Sequence, residues 1–143
     1  MSRPVASTGP RLGFSAVFFF PLLFAACSGN PKTRGYAFPP PETPAVGTVA
    51  EGVASWYGPG YHGKRTSSGE VFNQDALTAA HPTWAFGTKA RVTLLSTGRS
   101  VVVRINDRFP SHKGRLIDLS RGAARAIGLI GPGTGQVRVE VVG

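Results

Sequence analysis

Acidic residues and cysteine are scarce in this sequence. It has 7 Asp and Glu against 16 Lys and Arg, which gives a formal net charge of +9 over 143 residues. Because Cys27 is the only cysteine, an intramolecular disulfide is excluded and the fold must depend on burial of apolar side chains. A chain with so large a basic excess is expected to meet a polyanion.

Charged side chains are absent from residues 12–31, and this run is mostly apolar as far as Ala26. It follows Arg3 and Arg11, and a basic segment before an apolar one is typical of an export signal. Export excludes cytoplasmic nucleic acid as a partner and favours anionic polymers or lipids of the cell envelope. The alternative is an uncleaved membrane helix, which Pro21 and the small residues near Ala26 disfavour.

The residues before Cys27 resemble a bacterial lipobox. Ala25 and Ala26 stand directly before the cysteine, which in a lipobox is acylated and becomes the new N-terminus. We therefore predict a lipoprotein signal peptide at residues 1–26 and a lipid anchor on Cys27, with a free thiol or an intermolecular disulfide as the alternatives. Ser28 after the cysteine favours the periplasmic face of the outer membrane, by resemblance to sorted lipoproteins.

Large apolar residues are too few between residues 28 and 51 to bury a core, and prolines cluster at 39–44. Such a segment is extended and flexible. We predict that residues 27–51 are the lipidated cysteine and a Pro-rich tether, and that residues 52–143 form one domain. This length is enough for one modest core without disulfides, and we expect a monomer.

Within residues 52–143 the alternation of apolar and polar side chains indicates a mainly β fold. The predicted strands are 52–57, 89–95, 99–105 and 135–142, and a turn at 96–98 joins the second and third into a hairpin. One helix is predicted at 121–127, with Ser120 as its N-cap and Gly128 at its C-terminal end. Short strands with one or two short helices indicate a small β-barrel.

Eight segments of this domain, in order, resemble the rare lipoprotein A family. They are residues 52–58, 62–63, 66–70, 77–81, 86–88, 101–108, 117–120 and 137–141. The resemblance implies a six-stranded double-psi β-barrel and lytic transglycosylase activity on the MurNAc-GlcNAc β-1,4 bond of peptidoglycan glycan strands. The sequence differs from the family at Asp107-Arg-Phe-Pro-Ser111, where the family has Asp-Arg-Gly-Pro-Phe. Many relatives also carry a C-terminal glycan-binding domain, whereas this sequence stops at Gly143.

The implied reaction needs a proton for the leaving oxygen and then a base for the C6 hydroxyl that attacks C1, and one carboxyl group can serve both steps. Asp107, at the end of an apolar strand, resembles the family's catalytic acid/base. Glu70 would stabilise the positive charge on the sugar or share the acid/base work, and His81 would orient a carboxylate or bind substrate. The alternatives are a surface or turn pair of Asp107 with Arg108, a solvated loop acid at Glu70 and a structural histidine at His81.

Aromatic residues offer flat apolar faces on which sugar rings stack. We predict that Tyr57, Tyr61 and Arg108 bind substrate and that Trp84 belongs to the core. Asp118 is interpreted, with Ser120, as a brace at the start of the helix.

No metal and no cofactor are predicted, because the histidines lie far from cysteines or carboxylates at ligand spacing. The sequence leaves two other functions open. The protein could be a non-catalytic peptidoglycan-binding or expansin-like wall-loosening lipoprotein, or a structural lipoprotein that tethers membrane to wall.

Overall fold

Six strands and one helix make up the part of the chain that the computed structural model describes, residues 38–110 and 114–143. The strands are β1 (Val49–Tyr57), β2 (Thr78–Ala80), β3 (Lys89–Leu94), β4 (Ser100–Asp107), β5 (Arg115–Ser120) and β6 (Gly135–Val141), and the helix is α1 (Arg121–Ile127). The predicted signal peptide, the lipobox at Cys27 and the first part of the predicted tether lie outside the described residues.

The strands close into a barrel in the order β1-β5-β2-β4-β3-β6. β1 pairs with β5 and β2 pairs with β4 in parallel, whereas the other four pairings are antiparallel. Closure pairs both edges of every strand, so the barrel has no free edge. The predicted six-stranded barrel is confirmed.

The core of the barrel follows from alternation along β3, β4 and β6. In these strands every second side chain is apolar and buried, and the residues between them face outward, except for Asn106 near the end of β4, which is also buried. The inward-facing residues of the three strands are Ala90, Val92, Leu94, Val101, Val103, Ile105, Val137, Val139 and Val141. The predicted hairpin of β3 and β4 is confirmed, with Val92 opposite Val101 in its antiparallel register.

The helix α1 has the bounds and the caps that the sequence predicts. The Ser120 hydroxyl accepts a hydrogen bond from the Ala123 N–H at 3.2 Å, and Gly128 adopts the left-handed conformation with φ of 79°. Ala123, Ala124 and Ile127 are fully buried. In the described part of the chain, no helix combines the length and the apolar character needed to cross a membrane.

Two strands were not predicted. β2 has three residues, too few to show a period, and its three side chains are all buried. β5 is buried at four consecutive positions, because side chains on both of its faces are covered, and this hides the period of two.

The last part of the predicted tether is attached to the barrel. β1 begins at Val49, three residues before the predicted domain boundary. Further upstream, the Glu42 N–H donates to the Thr83 carbonyl at 2.7 Å and the Ala85 N–H donates to the Glu42 carbonyl at 2.6 Å. Part of the segment that composition assigns to an extended linker, around Glu42, is therefore hydrogen-bonded to the loop at residues 83–85 of the domain.

Candidate active site

A pocket of about 330 Å³ lies beside the carboxyl end of β4. Its wall combines two carboxylates, two guanidinium groups and several aromatic rings. The lining residues are Trp56, Tyr57, Tyr61, Ala80, Asp107, Arg108, Phe109, Pro110, Arg115 and Asp118. The barrel explains why two acids meet here: Ala80 of β2 is in register with Asp107 of β4 on one side and with Asp118 of β5 on the other.

Asp107 is the last residue of β4, and its two carboxylate oxygens have different surroundings. Oδ1 accepts three hydrogen bonds, from the Ser67 N–H at 2.9 Å, the Ser67 hydroxyl at 2.9 Å and the Arg108 N–H at 2.8 Å. Oδ2 accepts one, from the Tyr57 hydroxyl at 3.1 Å. Among the described residues Asp107 forms no ion pair, which disfavours the alternative of a surface pair with Arg108.

Tyr57 and Tyr61 form an aromatic corner of the pocket. Their ring centroids are 5.8 Å apart in an edge-to-face arrangement, and Tyr57 also stacks on Phe72 at 4.6 Å. Burial, followed by the charges of Asp107 and Asp118, raises the pKa of Tyr57 far above its usual value. The Tyr57 hydroxyl is therefore a permanent hydrogen-bond donor, whereas Tyr61 is 56% exposed and available to a ligand.

Glu70 does not line the pocket. Its Oε2 accepts a hydrogen bond from the Asn106 side chain at 2.8 Å, and its Oε1 pairs with Arg104 at 2.8 Å. These two partners lower the pKa of Glu70, so the carboxylate is ionised at neutral pH. The Glu70 side chain is also 43% exposed, which agrees with the alternative interpretation as a solvated loop acid. A role as proton donor is disfavoured, and an electrostatic role is retained.

His81 is buried, and its ring does not orient a carboxylate as predicted. Nδ1 accepts hydrogen bonds from the Thr83 and Trp84 N–H groups at 3.2 and 3.0 Å, so the neutral ring carries its proton on Nε2. That Nε2 has no hydrogen-bond partner among the described residues. Burial, followed by the nearby Arg108 charge, lowers the pKa of His81 to about 4.

His81 contacts Asp107 through its backbone: the His81 N–H donates a hydrogen bond to the Asp107 carbonyl at 3.1 Å. The imidazole stacks on Trp84, with ring centroids 4.2 Å apart. Trp84 is 6% exposed, which confirms its predicted place in the core. His81 is thus a positioning residue for the strand end that carries Asp107.

Arg108 lines the pocket and lies against an exposed aromatic ring. Its guanidinium carbon is 4.1 Å from the Phe86 ring centroid, a cation–π contact. Nη1 donates to the carbonyls of His81 and Asp107 at 3.3 and 3.4 Å. Burial lowers the pKa of Arg108, yet a guanidinium remains a cation in this environment.

Asp118 belongs to the pocket rather than to the helix start, where it was predicted to act as a brace. The Ser55 hydroxyl donates to Asp118 Oδ1, and Arg115 Nη2 lies 3.4 Å from Asp118 Oδ2. Arg115 also lies 5.1 Å from the ring centroid of Phe109, the residue that replaces the glycine of the family motif. The departure from the motif therefore supplies a buried aromatic wall to the pocket.

The predicted site residues thus separate into two groups. Tyr57, Tyr61, Asp107 and Arg108 meet around one pocket, whereas Glu70 and His81 lie outside its lining; Glu70 bonds to the Asn106 side chain and His81 to the Asp107 backbone. Sequence reasoning missed the Ser67 donors and the pocket position of Asp118. The Asp118 position could have been found from the pairing of β2 with both β4 and β5, which is a property of the barrel rather than of the local sequence. In the described residues no group of three or more potential metal ligands comes together.

Comparison with known proteins decides the family. A family model described as lytic transglycolase, a double-psi β-barrel, matches residues 49–140. The chain belongs to this family. The family match confirms both the resemblance found in the sequence and the predicted fold class.

Two relatives are similar over the same domain. The endolytic peptidoglycan transglycosylase RlpA of Campylobacter jejuni is 56% identical over 103 residues, which cover 72% of this chain and 38% of that protein. A probable endolytic peptidoglycan transglycosylase RlpA of a Synechocystis strain is 64% identical over 94 residues, 66% of this chain and 29% of the relative. The chain therefore spans less than half the length of these relatives.

Among solved structures, a Streptomyces papain inhibitor is similar in fold. It matches with a TM-score of 0.59 at 21% identity, over 71% of this chain and 100% of the inhibitor. A likeness at this identity concerns the barrel alone. The barrel by itself therefore does not determine what a family member does, and function must be argued from the pocket.

Proposed function

We propose that this chain is a lytic transglycosylase that cleaves the MurNAc-GlcNAc β-1,4 bond of peptidoglycan and leaves 1,6-anhydro-muramyl ends, preferring strands without stem peptides. One observation carries the proposal: the Asp107 carboxylate stands on the pocket wall with three donors on one oxygen and a single donor, Tyr57, on the other. The family and the names of the relatives support the same reaction class.

Asp107 serves both proton transfers. Because Oδ1 is filled by three hydrogen bonds, Oδ2 is the oxygen that carries the proton. Oδ2 gives this proton to the glycosidic oxygen as the bond to C1 breaks. The resulting carboxylate then accepts the proton of the C6 hydroxyl while that oxygen bonds to C1. The acid is restored and no water is consumed.

Neighbouring residues support this cycle without exchanging protons. The ionised Glu70 places negative charge near the strand end that carries Asp107, and such charge stabilises an oxocarbenium-like transition state. The neutral His81 fixes the backbone beside Asp107. Tyr57 and Tyr61 offer aromatic surface for a sugar ring.

The test is digestion of purified glycan by the full chain, with the released sugars identified by mass spectrometry. We expect anhydro-muramyl products, and more of them from peptide-stripped than from intact strands. Asp107→Asn should reduce turnover by about 10²–10⁴-fold, because the amide keeps the shape and cannot exchange the proton. Its melting temperature should stay close to that of the wild type.

Wild-type turnover in a folded Asp107→Asn variant would assign Asp107 to structure and contradict its proposed role as acid and base. A wild-type chain that binds glycan and releases no product would instead favour the second candidate function, a non-catalytic glycan-binding or wall-loosening module. The exposed Tyr61 ring beside the pocket is the observation that favours this second candidate.

The place of action is proposed from the sequence. The lipobox pattern at Cys27 supports a lipid anchor in the outer membrane. The Pro-rich residues after Cys27 would let the domain extend from that membrane into the periplasm, where the glycan lies. The proposed partners are therefore peptidoglycan strands and, through the acyl chains, a membrane.

A further inference from the structure

Arg108 is a cation of the pocket wall that has no ion-pair partner among the described residues. The other pocket cation, Arg115, pairs with Asp118 and also donates to the Ser55 hydroxyl. The ion pairs in the described part of the chain are Arg91–Glu140, Arg104–Glu70, Arg115–Asp118 and Arg121–Asp75. The charge of Asp107 favours the Arg108 cation, but no carboxylate of the described residues forms an ion pair with it, so a ligand can supply that anion.

The position of this guanidinium is fixed, and part of its hydrogen-bonding capacity is unused. The Phe86 ring supports one face, and both hydrogen bonds to the protein leave from Nη1. The N–H groups of Arg108 Nη2 and Nε make no hydrogen bond to the described residues. An arginine can bind a carboxylate through these two nitrogens, with two parallel hydrogen bonds.

The substrate of the proposed function carries one anion at a fixed place on every muramic sugar. In a strand without stem peptides, the lactyl group on C3 ends in a free carboxylate. In a strand with stem peptides, the same carbon is part of an amide and has no charge. We propose that Arg108 binds the free lactyl carboxylate and that this ion pair gives the site its preference for strands without stem peptides. This inference rests on the proposed function.

Asp107 and Arg108 both line the pocket. Asp107 and Arg108 are consecutive, and the Arg108 N–H itself holds Asp107 Oδ1 at 2.8 Å. Asp107 protonates the oxygen on C1 of the muramic sugar, and the lactyl group is on C3 of the same ring. Adjacent residues thus address two substituents of one sugar, so recognition of the carboxylate also places C1 at the acid.

The experiment compares three forms of one glycan preparation with the full chain. The first is peptide-stripped and has free lactyl carboxylates, the second is the same material with these carboxylates converted to methylamides, and the third keeps its stem peptides. For the wild type we expect kcat/KM to be about ten- to hundredfold higher on the free acid than on the methylamide, the range for hydrogen bonds to a charged partner.

Variants assign this ratio to Arg108. In Arg108→Gln the ratio of acid to methylamide should fall to near one, and Arg108→Lys should keep part of it because the charge remains and the fork is lost. Arg91→Gln is the matched control, because Arg91 pairs with Glu140 on the outer face of the barrel, and it should keep the wild-type ratio. Melting temperatures of all variants establish that they are folded.

Three outcomes overturn the inference. One is equal wild-type cleavage of acid and methylamide, and another is an unchanged ratio in Arg108→Gln. The third is rapid cleavage of intact strands that depends on Arg108, which would assign the residue to carboxylates of the stem peptide. If the wild type cleaves none of the three, the proposed function fails separately. The inference is then tested by binding: the wild type should bind the acid strands more tightly than the methylamide strands, and Arg108→Gln should bind both equally.

Discussion

At the scale of single residues, the groups around Asp107 are each held in one protonation state. Tyr57 keeps its proton because its pKa is raised by burial, and Glu70 is ionised because Asn106 and Arg104 lower its pKa. His81 is neutral because burial lowers its pKa to about 4. On the proposed function, Asp107 exchanges a proton with substrate, and the others provide a fixed electrostatic environment.

The buried His81 predicts a loss of stability in mild acid. Its pKa is 6.5 when unfolded and about 4 when folded, so the unfolded state binds the proton first as the pH falls. The stability is therefore present above pH 6.5 and is lost progressively below it. Between pH 7 and pH 5 we expect the free energy of unfolding to fall by about 2 kcal/mol, measured by urea denaturation.

His81→Asn is the control for this titration, because the amide oxygen can accept the same backbone hydrogen bonds and has no pKa in this range. Its free energy of unfolding should lack this decrease between pH 7 and pH 5. Glu70 contributes little between pH 7 and pH 5, because its stability is lost only as the pH falls through its unfolded pKa of 4.5 and below. A variant that loses as much stability as the wild type would show that another group titrates.

At the scale of elements, the sequence predicts those parts whose pattern is local. β3, β4 and β6 each have one buried and one exposed face, so alternation identifies them, and the caps at Ser120 and Gly128 identify α1. β2 and β5 were missed because burial on both faces removes the alternation. Asp118 was misplaced because its position beside Ala80 exists only once β5 pairs with β2.

The contact of α1 with the segment before β2 gives a test at this scale. The Gly122 N–H donates to the Gln74 carbonyl at 2.8 Å, and a Cβ on Gly122 would lie 2.3 Å from the Asp75 carbonyl oxygen. Backbone atoms cannot yield as a side chain can. Gly122→Ala should therefore lower the free energy of unfolding by about 1–3 kcal/mol, although alanine is the better helix former.

Gly131→Ala is the matched control for Gly122→Ala, because a Cβ there meets no atom within 4 Å. It should change stability by less than about 0.5 kcal/mol, the range of ordinary surface substitutions. Equal effects of the two substitutions in thermal or urea unfolding would show that α1 adjusts its distance from residues 74–75 without cost.

At the scale of the whole molecule, the barrel brings together residues from distant parts of the sequence. The pocket takes its acids from β4 and β5 and its aromatic corner from the end of β1 and the loop that follows. The basic excess of the chain suits an anionic polymer, and Arg108 is the site that we propose for one anion of that polymer. If the chain cleaves an immobile polymer as proposed, it must also be held near that polymer, and this is the role that we propose for Cys27.

Cys27→Ser tests the proposed anchor. Serine cannot form the thioether that holds the lipid, so the signal should remain uncleaved or the protein should leave the membrane fraction. We expect the wild type to fractionate with outer membranes and to gain the mass of its acyl chains, because several chains on one residue exceed what stable anchoring requires. Ser28→Asp is the companion variant: if the residue after the cysteine sets the destination, it should move the protein to the inner membrane while its lipid mass stays unchanged. A Cys27→Ser protein with wild-type mass and wild-type membrane retention would show that residues 12–26 hold the chain as a membrane segment instead.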